Sequence, residues 1–124
     1  MIRSMYLAAI LVVLAASGSH AHGQEATERF IPIGQSPGQS GKTTLIGSIQ
    51  SVDAQGRQLT ISTAAGVSKI SVTERTKIWI DRSASKQTNS LGSVADLQAG
   101  RRVEVKWDAK DKSRAEWIKV EAAP

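Results

Sequence analysis

Two tryptophans stand beside lysines in the second half of the chain. Trp79 follows Lys77 by two positions, and Trp117 precedes Lys119 by two positions. Residues two apart in a strand lie on the same face, so each indole is expected beside an ammonium group. Aromatic planes next to positive charge bind rings and anions. With Arg114 added, these residues form the candidate binding site for an anionic or ring-bearing partner.

The exposure of these indoles decides whether such a site is accessible. Both tryptophans alternate with apolar neighbours, which places them on the outward face of their strands, where they form a binding platform if no other segment covers them. Two alternatives stay open. A segment around Phe30 could cover them, which would leave the basic hairpin at residues 108–114, or the strand order could divide the patch into two unrelated sites.

Catalytic side chains are scarce. The chain has no cysteine, and its two histidines, His20 and His22, precede the domain, so neither a thiol nucleophile nor an imidazole base is expected. Carboxylates alternate with cations, as in Arg102-Glu104-Lys106 and Glu116-Lys119-Glu121, a pattern typical of solvated cross-strand pairs. The sequence therefore predicts no enzyme, no catalytic residues and no cofactor.

One string is similar to the end of a phosphate-binding loop, namely Gly38-Gln39-Ser40-Gly41-Lys42-Thr43. That motif requires a glycine where this chain has Ser36, and a helix must follow it. Here the apolar pattern that follows indicates a strand instead. Nucleotide binding is therefore not expected.

The first residues have the pattern of an export signal. Arg3 precedes an apolar run at residues 7–16, and Ser19-His20-Ala21 ends the segment with small residues around a cleavage position. The run is shorter than the roughly 20 residues that span a bilayer. We expect a signal peptide at 1–21, cleaved after Ala21, and a periplasmic or secreted protein without a stable membrane anchor.

The charge of the chain limits its partners. Lysine and arginine outnumber the acidic residues, and the formal net charge is +5. Outside the cytoplasm this favours an anionic envelope polymer or an envelope protein as partner, whereas nucleic acid is not expected there. The alternative is that the charge only maintains solubility.

Alternating apolar residues begin near residue 43 and predict the architecture. Residues 22–42 are polar and rich in glycine, and predict an irregular arm whose Phe30 and Ile33 pack on the domain. Residues 43–121 predict an all-β antiparallel barrel of about six strands, and 122–124 a tail. One short helical turn is expected at Ser93–Leu97, with Ser93 as its cap. Gly47 is expected to bend the first strand.

The inward face of that barrel follows from the period of two. Trp107 shares its parity with Val103 and Val105, so it is expected in the core. The other predicted core residues alternate with polar ones in the same way: Leu59, Ile61, Ile70, Val72, Ile78, Ile80, Val103, Val105, Ile118 and Val120.

The motifs at 47–53, 58–61 and 76–78, followed by Asp96-Leu97-Gln98-Ala99-Gly100 and the strand after it, resemble a family of small exported bacterial domains of unknown function. That resemblance, over residues 45–121, implies an OB-like barrel. The same pattern also resembles periplasmic copper and silver metallochaperones, which bind soft metals through methionine, histidine and tryptophan. Here Met1 and Met5 lie in the signal segment, so no metal site is expected.

Two functions therefore remain open. The first is a non-catalytic exported binding or interaction module that contacts an anionic envelope polymer or a protein partner. The second is an accessory of a metal-resistance or efflux system that has no soft-metal site of its own. The lack of methionine and histidine in the barrel favours the first.

Overall fold

The computed structural model describes residues 28–53, 55 and 57–123. The predicted signal peptide, residues 22–27 of the predicted arm and Gly56 of the first turn lie outside these ranges. The strands are β1 (Thr44–Val52), β2 (Gln58–Thr63), β3 (Gly66–Ser71), β4 (Lys77–Asp81), β5 (Ser90–Leu91), β6 (Arg102–Trp107) and β7 (Ala115–Glu121). Two 3-10 turns lie at Ser83–Ser85 and Val94–Asp96.

The strands form one sheet in the order β3-β2-β1-β6-β7-β4-β5. A parallel bridge between Ser71 and Arg114 joins the end of β3 to the residue before β7, and it closes β1, β2, β3, β7 and β6 into a barrel. The amide of Ser71 donates to the carbonyl of Ser113 at 2.7 Å. Closure pairs what would otherwise be an open sheet edge. The all-β, OB-like prediction is confirmed.

Strands β3 and β4 run one after the other along β7. The turn at 72–76 separates them, after which β4 pairs with β7 in parallel, with Lys77 opposite Trp117 and Trp79 opposite Lys119. The other long pairings, β1–β2, β1–β6, β2–β3 and β6–β7, are antiparallel. The sheet is thus mixed, which the purely antiparallel prediction did not include.

The core lies inside the barrel, where the alternation predicted it. Nine of the ten predicted residues are buried, and Ile80 is partly buried against them. Trp107 is only half-buried, since it sits at a register shift beside Lys106 near the tip of the β6–β7 hairpin. The expectation that Trp107 belongs to the core is wrong for that reason.

At Gly47, strand β1 pairs with two other strands at once. Gly47 pairs with Thr63 of β2 and with Val103 of β6, so it lies where β1 turns from one wall of the barrel to the next. A Cβ atom there would overlap the backbone carbonyl of Ser62. Gly47 is therefore needed for a close approach of two backbones, whereas the irregularity in the register of β1 lies between Ile49 and Ser51.

The helical turn predicted at Ser93–Leu97 is present as a 3-10 turn. At its start the backbone N–H of Ser93 donates to the Asp96 carboxylate at 2.8 Å, and the backbone N–H of Asp96 donates to the Ser93 carbonyl at 3.0 Å. A second turn at Ser83–Ser85 and the short strand β5 were not predicted. Both lie in the polar stretch 82–91, which has no apolar period to indicate them.

A candidate binding groove between the arm and the barrel

Residues 28–43, called the arm below, cross the outer face of β6, β7 and β4 as a series of turns. Ile33 is buried at 4% exposure, as predicted, whereas Phe30 is 66% exposed. The expectation that Phe30 packs on the domain is therefore wrong. The string Gly38–Thr43 belongs to this arm and leads directly into β1, so the helix that a phosphate loop needs is replaced by a strand.

Lys119 fixes the start of the arm. Its Nζ lies 2.6 Å from Glu28 Oε1 and donates to Ser36 Oγ at 3.0 Å, and Ser36 Oγ donates to the same Glu28 oxygen at 2.9 Å. Lys119 is fully buried and Glu28 is nearly so. A buried ammonium needs a carboxylate and hydrogen bonds to offset its desolvation, and the arm supplies both.

Glu104 fixes the end of the arm. Its Oε1 accepts from the backbone N–H of Gly34 at 2.9 Å. Its Oε2 accepts from the hydroxyls of Ser40 at 2.6 Å and Thr44 at 2.8 Å. Glu104 is fully buried, so these three donors replace the water that a surface carboxylate would bind.

Asp81 and Asn89 also hold the first part of the arm. Asp81 accepts from the backbone N–H of Ile33 at 2.9 Å and of Ser83 at 2.8 Å. The Asn89 amide donates to the carbonyls of Glu28 and Ile31, both at 2.9 Å. Burial acts to raise the pKa of Asp81, but these N–H groups and the charge of Lys119 outweigh it and hold the pKa below its ordinary value.

The arm covers part of the predicted binding site. The exposed fraction is 4% for Trp79 and 8% for Trp117, and Lys119 is fully buried. The hypothesis that these three side chains belong to an accessible outward patch is therefore wrong. They do lie on the outer face of the barrel, as their parity indicated, but the arm covers that face, which is the alternative that the sequence left open.

The strand order brings most of the patch together. Lys77 is opposite Trp117 and Trp79 is opposite Lys119 across β4 and β7, so the two indoles are diagonal neighbours. Lys119 Nζ lies 4.7 Å from the centre of the Trp117 ring. Lys77 Nζ and Arg29 Cζ lie 6.0 and 5.6 Å from the centre of the Trp79 ring. Cation–π attraction thus stabilises both indoles in place.

Beside the arm a groove of about 610 Å³ remains open. Trp79 and Trp117 form its floor, and Lys77, Arg75 and Lys106 contribute the cations. Lys106 already pairs with Glu116 at 2.9 Å, whereas Lys77 and Arg75 pair with no carboxylate in the described part of the chain. The remaining lining residues are Glu28, Gly38, Gln39 and Thr43.

Arg114 lies apart from this groove. It pairs with Asp108 at 3.4 Å and lines a separate depression at the other side of Arg75. Four of the five predicted site residues therefore share one region of the molecule, and Arg114 does not. Lys119 belongs to that region from beneath, because it contacts Trp117 and is not itself exposed.

The predicted solvated pairs divide into two kinds. Lys106 and Glu116 form such a pair at the surface, as expected. Glu104 and Lys119, which face each other across β6 and β7, are instead fully buried and bind the arm. The prediction was wrong for these two because the pattern within a strand does not show what a distant segment covers.

Comparison with known proteins gives a distant likeness only. No family model matches the chain, and no curated protein matches it either. A crystal structure of silver(I)-bound CusF is similar at a TM-score of 0.42 and 17% identity, covering 62% of this chain and 93% of that one. A copper(II) form of a CusF tryptophan-to-alanine variant from Escherichia coli gives 0.42 and 17%, covering 63% and 89%.

Two further features bear on the site. Within residues 28–53 and 57–123, no three histidine, cysteine, aspartate or glutamate side chains cluster as metal ligands would. Over the same residues, no helix has the length and apolarity needed to cross a bilayer.

The sequence did not indicate that Glu28, Ser36 and Asn89 take part in the contacts of the arm. The signal that could have indicated them was the apolar segment 30–33 inside a polar arm.

Proposed function

We propose that this protein is a non-catalytic, exported binding module whose groove beside the arm binds an acidic polysaccharide of the envelope. The observation that carries the proposal is the meeting of Lys77 and Arg75, two cations without carboxylate partners in the described chain, with an indole floor formed by Trp79 and Trp117. The apolar C–H faces of sugar rings suit van der Waals contact with an indole floor, and uronate or sulfate groups suit the cations.

The burial of the indoles shapes how such a ligand would bind. With so little of each ring exposed, flat stacking on a ring face is not available while the arm is in place. The cations at the rim then supply most of the recognition, and the indoles supply a rigid apolar floor. We therefore expect binding that weakens as salt is raised.

Isothermal titration calorimetry with trigalacturonate tests this proposal. Lys77→Met should weaken binding about tenfold, the magnitude expected when a ligand charge loses its partner. Lys69→Met is the matched control, since Lys69 is an exposed lysine on β3 that does not line the groove. Absence of trigalacturonate binding, or equal effects of the two substitutions, would contradict the proposal.

The second candidate, an accessory of a metal-resistance or efflux system without a soft-metal site of its own, stays a prediction. Titration with Cu(I) under reducing conditions tests whether the protein has a soft-metal site. We expect no quenching of Trp79, Trp107 or Trp117, because soft cations require thioether, thiolate or imidazole ligands. A stoichiometric, tight quench would overturn that expectation.

A further inference from the structure

A second depression of about 600 Å³ adjoins the groove. Arg75 and Glu116 line both, so they form the ridge between them. Beyond that ridge the second depression is lined by two more arginines, Arg57 and Arg114. Three guanidinium groups therefore surround one small region at the end of the barrel where β3 and β7 meet.

Three acidic residues, Glu74, Asp108 and Glu116, line this depression together with its three arginines. Asp108 pairs with Arg114 at 3.4 Å, and Glu116 pairs with Lys106. Arg57 and Arg75 have no ion pair among the described residues, and Glu74 is exposed on the turn between β3 and β4. Guanidinium groups bind carboxylate, sulfate and phosphate oxygens through paired N–H donors, which lysine cannot do.

The loops that line the depression are hydrogen-bonded to the barrel. Thr76 Oγ1 donates to the Ala115 carbonyl at 2.7 Å, and the bridge between Ser71 and Arg114 closes the barrel directly beside it. The backbones that carry Arg75 and Arg114 are thereby fixed relative to each other. A fixed spacing of cations selects for a ligand with a fixed spacing of anions.

We infer that the two depressions form one continuous binding track for an extended acidic polysaccharide, with Arg57, Arg75 and Arg114 holding the oxyanions of sugar units beyond those in the groove. This inference rests on the proposed function and deepens it. We expect a trimer to occupy the groove alone and a longer chain to reach across Arg75. Affinity should therefore rise with chain length until the second depression is filled.

Calorimetry with galacturonate trimer and hexamer tests the track. The purified protein should bind the hexamer about tenfold more tightly than the trimer, as expected when a tethered second contact adds to the first. Arg57→Gln, which removes one cation of the second depression, should abolish most of this gain and leave trimer affinity unchanged. Arg102→Gln, an exposed arginine that lines neither depression, is the control and should preserve the gain.

The outcomes separate the track from the groove. Equal affinity for trimer and hexamer, or a gain that survives Arg57→Gln, overturns the track while the groove stands. Hexamer binding that depends on Arg57 without any trimer binding supports the second depression and contradicts the groove. A sulfated hexamer that binds more tightly than the galacturonate hexamer, and that also depends on Arg57, supports the track and identifies sulfate as the preferred oxyanion. Tight binding of oligo-dT with no binding of either saccharide overturns the assignment to a polysaccharide.

Discussion

The Nζ atom of Lys119 lies 2.6 Å from Oε1 of Glu28, a residue 91 positions earlier in the chain. This ion pair joins β7 to the start of the arm and is buried on both sides. Its Lys119 end also contacts the Trp117 ring, so the same ammonium that fastens the arm supports the floor of the groove. One side chain therefore contributes both to the attachment of the arm and to the shape of the groove.

The first prediction concerns that ion pair. Lys119→Met leaves the Glu28 carboxylate buried without its partner, which should destabilise the protein by about 3–5 kcal/mol in urea unfolding. Lys106→Met is the matched control, because the Lys106–Glu116 pair is exposed and such pairs contribute about 0–1 kcal/mol. Equal losses for the two variants would show that the Lys119 pair is not buried in solution.

The second prediction concerns the indoles. Variants that keep a single tryptophan, the others replaced by phenylalanine, should show little iodide quenching for Trp79 or Trp117 and more for the half-buried Trp107. Adding Asn89→Ala removes two hydrogen bonds to the arm and should increase quenching of Trp79. Strong quenching of Trp79 and Trp117 before that change would mean that the arm does not cover them.

The third prediction tests the inward face of the barrel. Val105 is fully buried, so Val105→Asp would place an unpaired carboxylate in the core and destabilise the protein by several kcal/mol, on the order of the cost of an unpaired buried charge. Val67→Asp makes the same exchange at a residue that is 61% exposed. Its melting temperature should stay close to that of the unmodified protein. An unchanged melting temperature for Val105→Asp would contradict the assignment.

The fourth prediction concerns acid. Because the folded-state pKa of Asp81 is lowered, its ionised carboxylate contributes stability above the unfolded-state pKa of about 3.9. That contribution is lost as the pH falls through the lower, folded-state pKa. Asp81→Asn should therefore be less stable at neutral pH and lose less stability on acidification. Parallel curves of unfolding free energy against pH for the two proteins would contradict this.

The fifth prediction concerns processing. Export with cleavage after Ala21 should give a periplasmic or secreted protein that begins at His22. Intact-mass measurement of the protein from that fraction checks the position. Retention of Met1 on a membrane-bound form would contradict both the cleavage and the localisation.

The sequence alone determined which side chains face the inside of the barrel. Leu59, Ile61, Val103 and Val105 alternate with polar residues, and in a strand this alternation assigns each side chain to a face whatever the rest of the chain does. The capped turn at Ser93 was equally readable, because a cap depends on residues within one turn of each other. Both results follow from local spacing.

Only the tertiary structure decided what covers the outside. Trp79 and Lys119 are outward in sequence and buried in the fold, because the arm returns across β6, β7 and β4. Its contacts span 70 positions from Gly34 to Glu104 and 91 from Glu28 to Lys119. Spacing within a strand indicates which face a residue occupies, but not whether a segment that far away packs on that face. That contact depends on hydrogen bonds that exist only once both segments are folded.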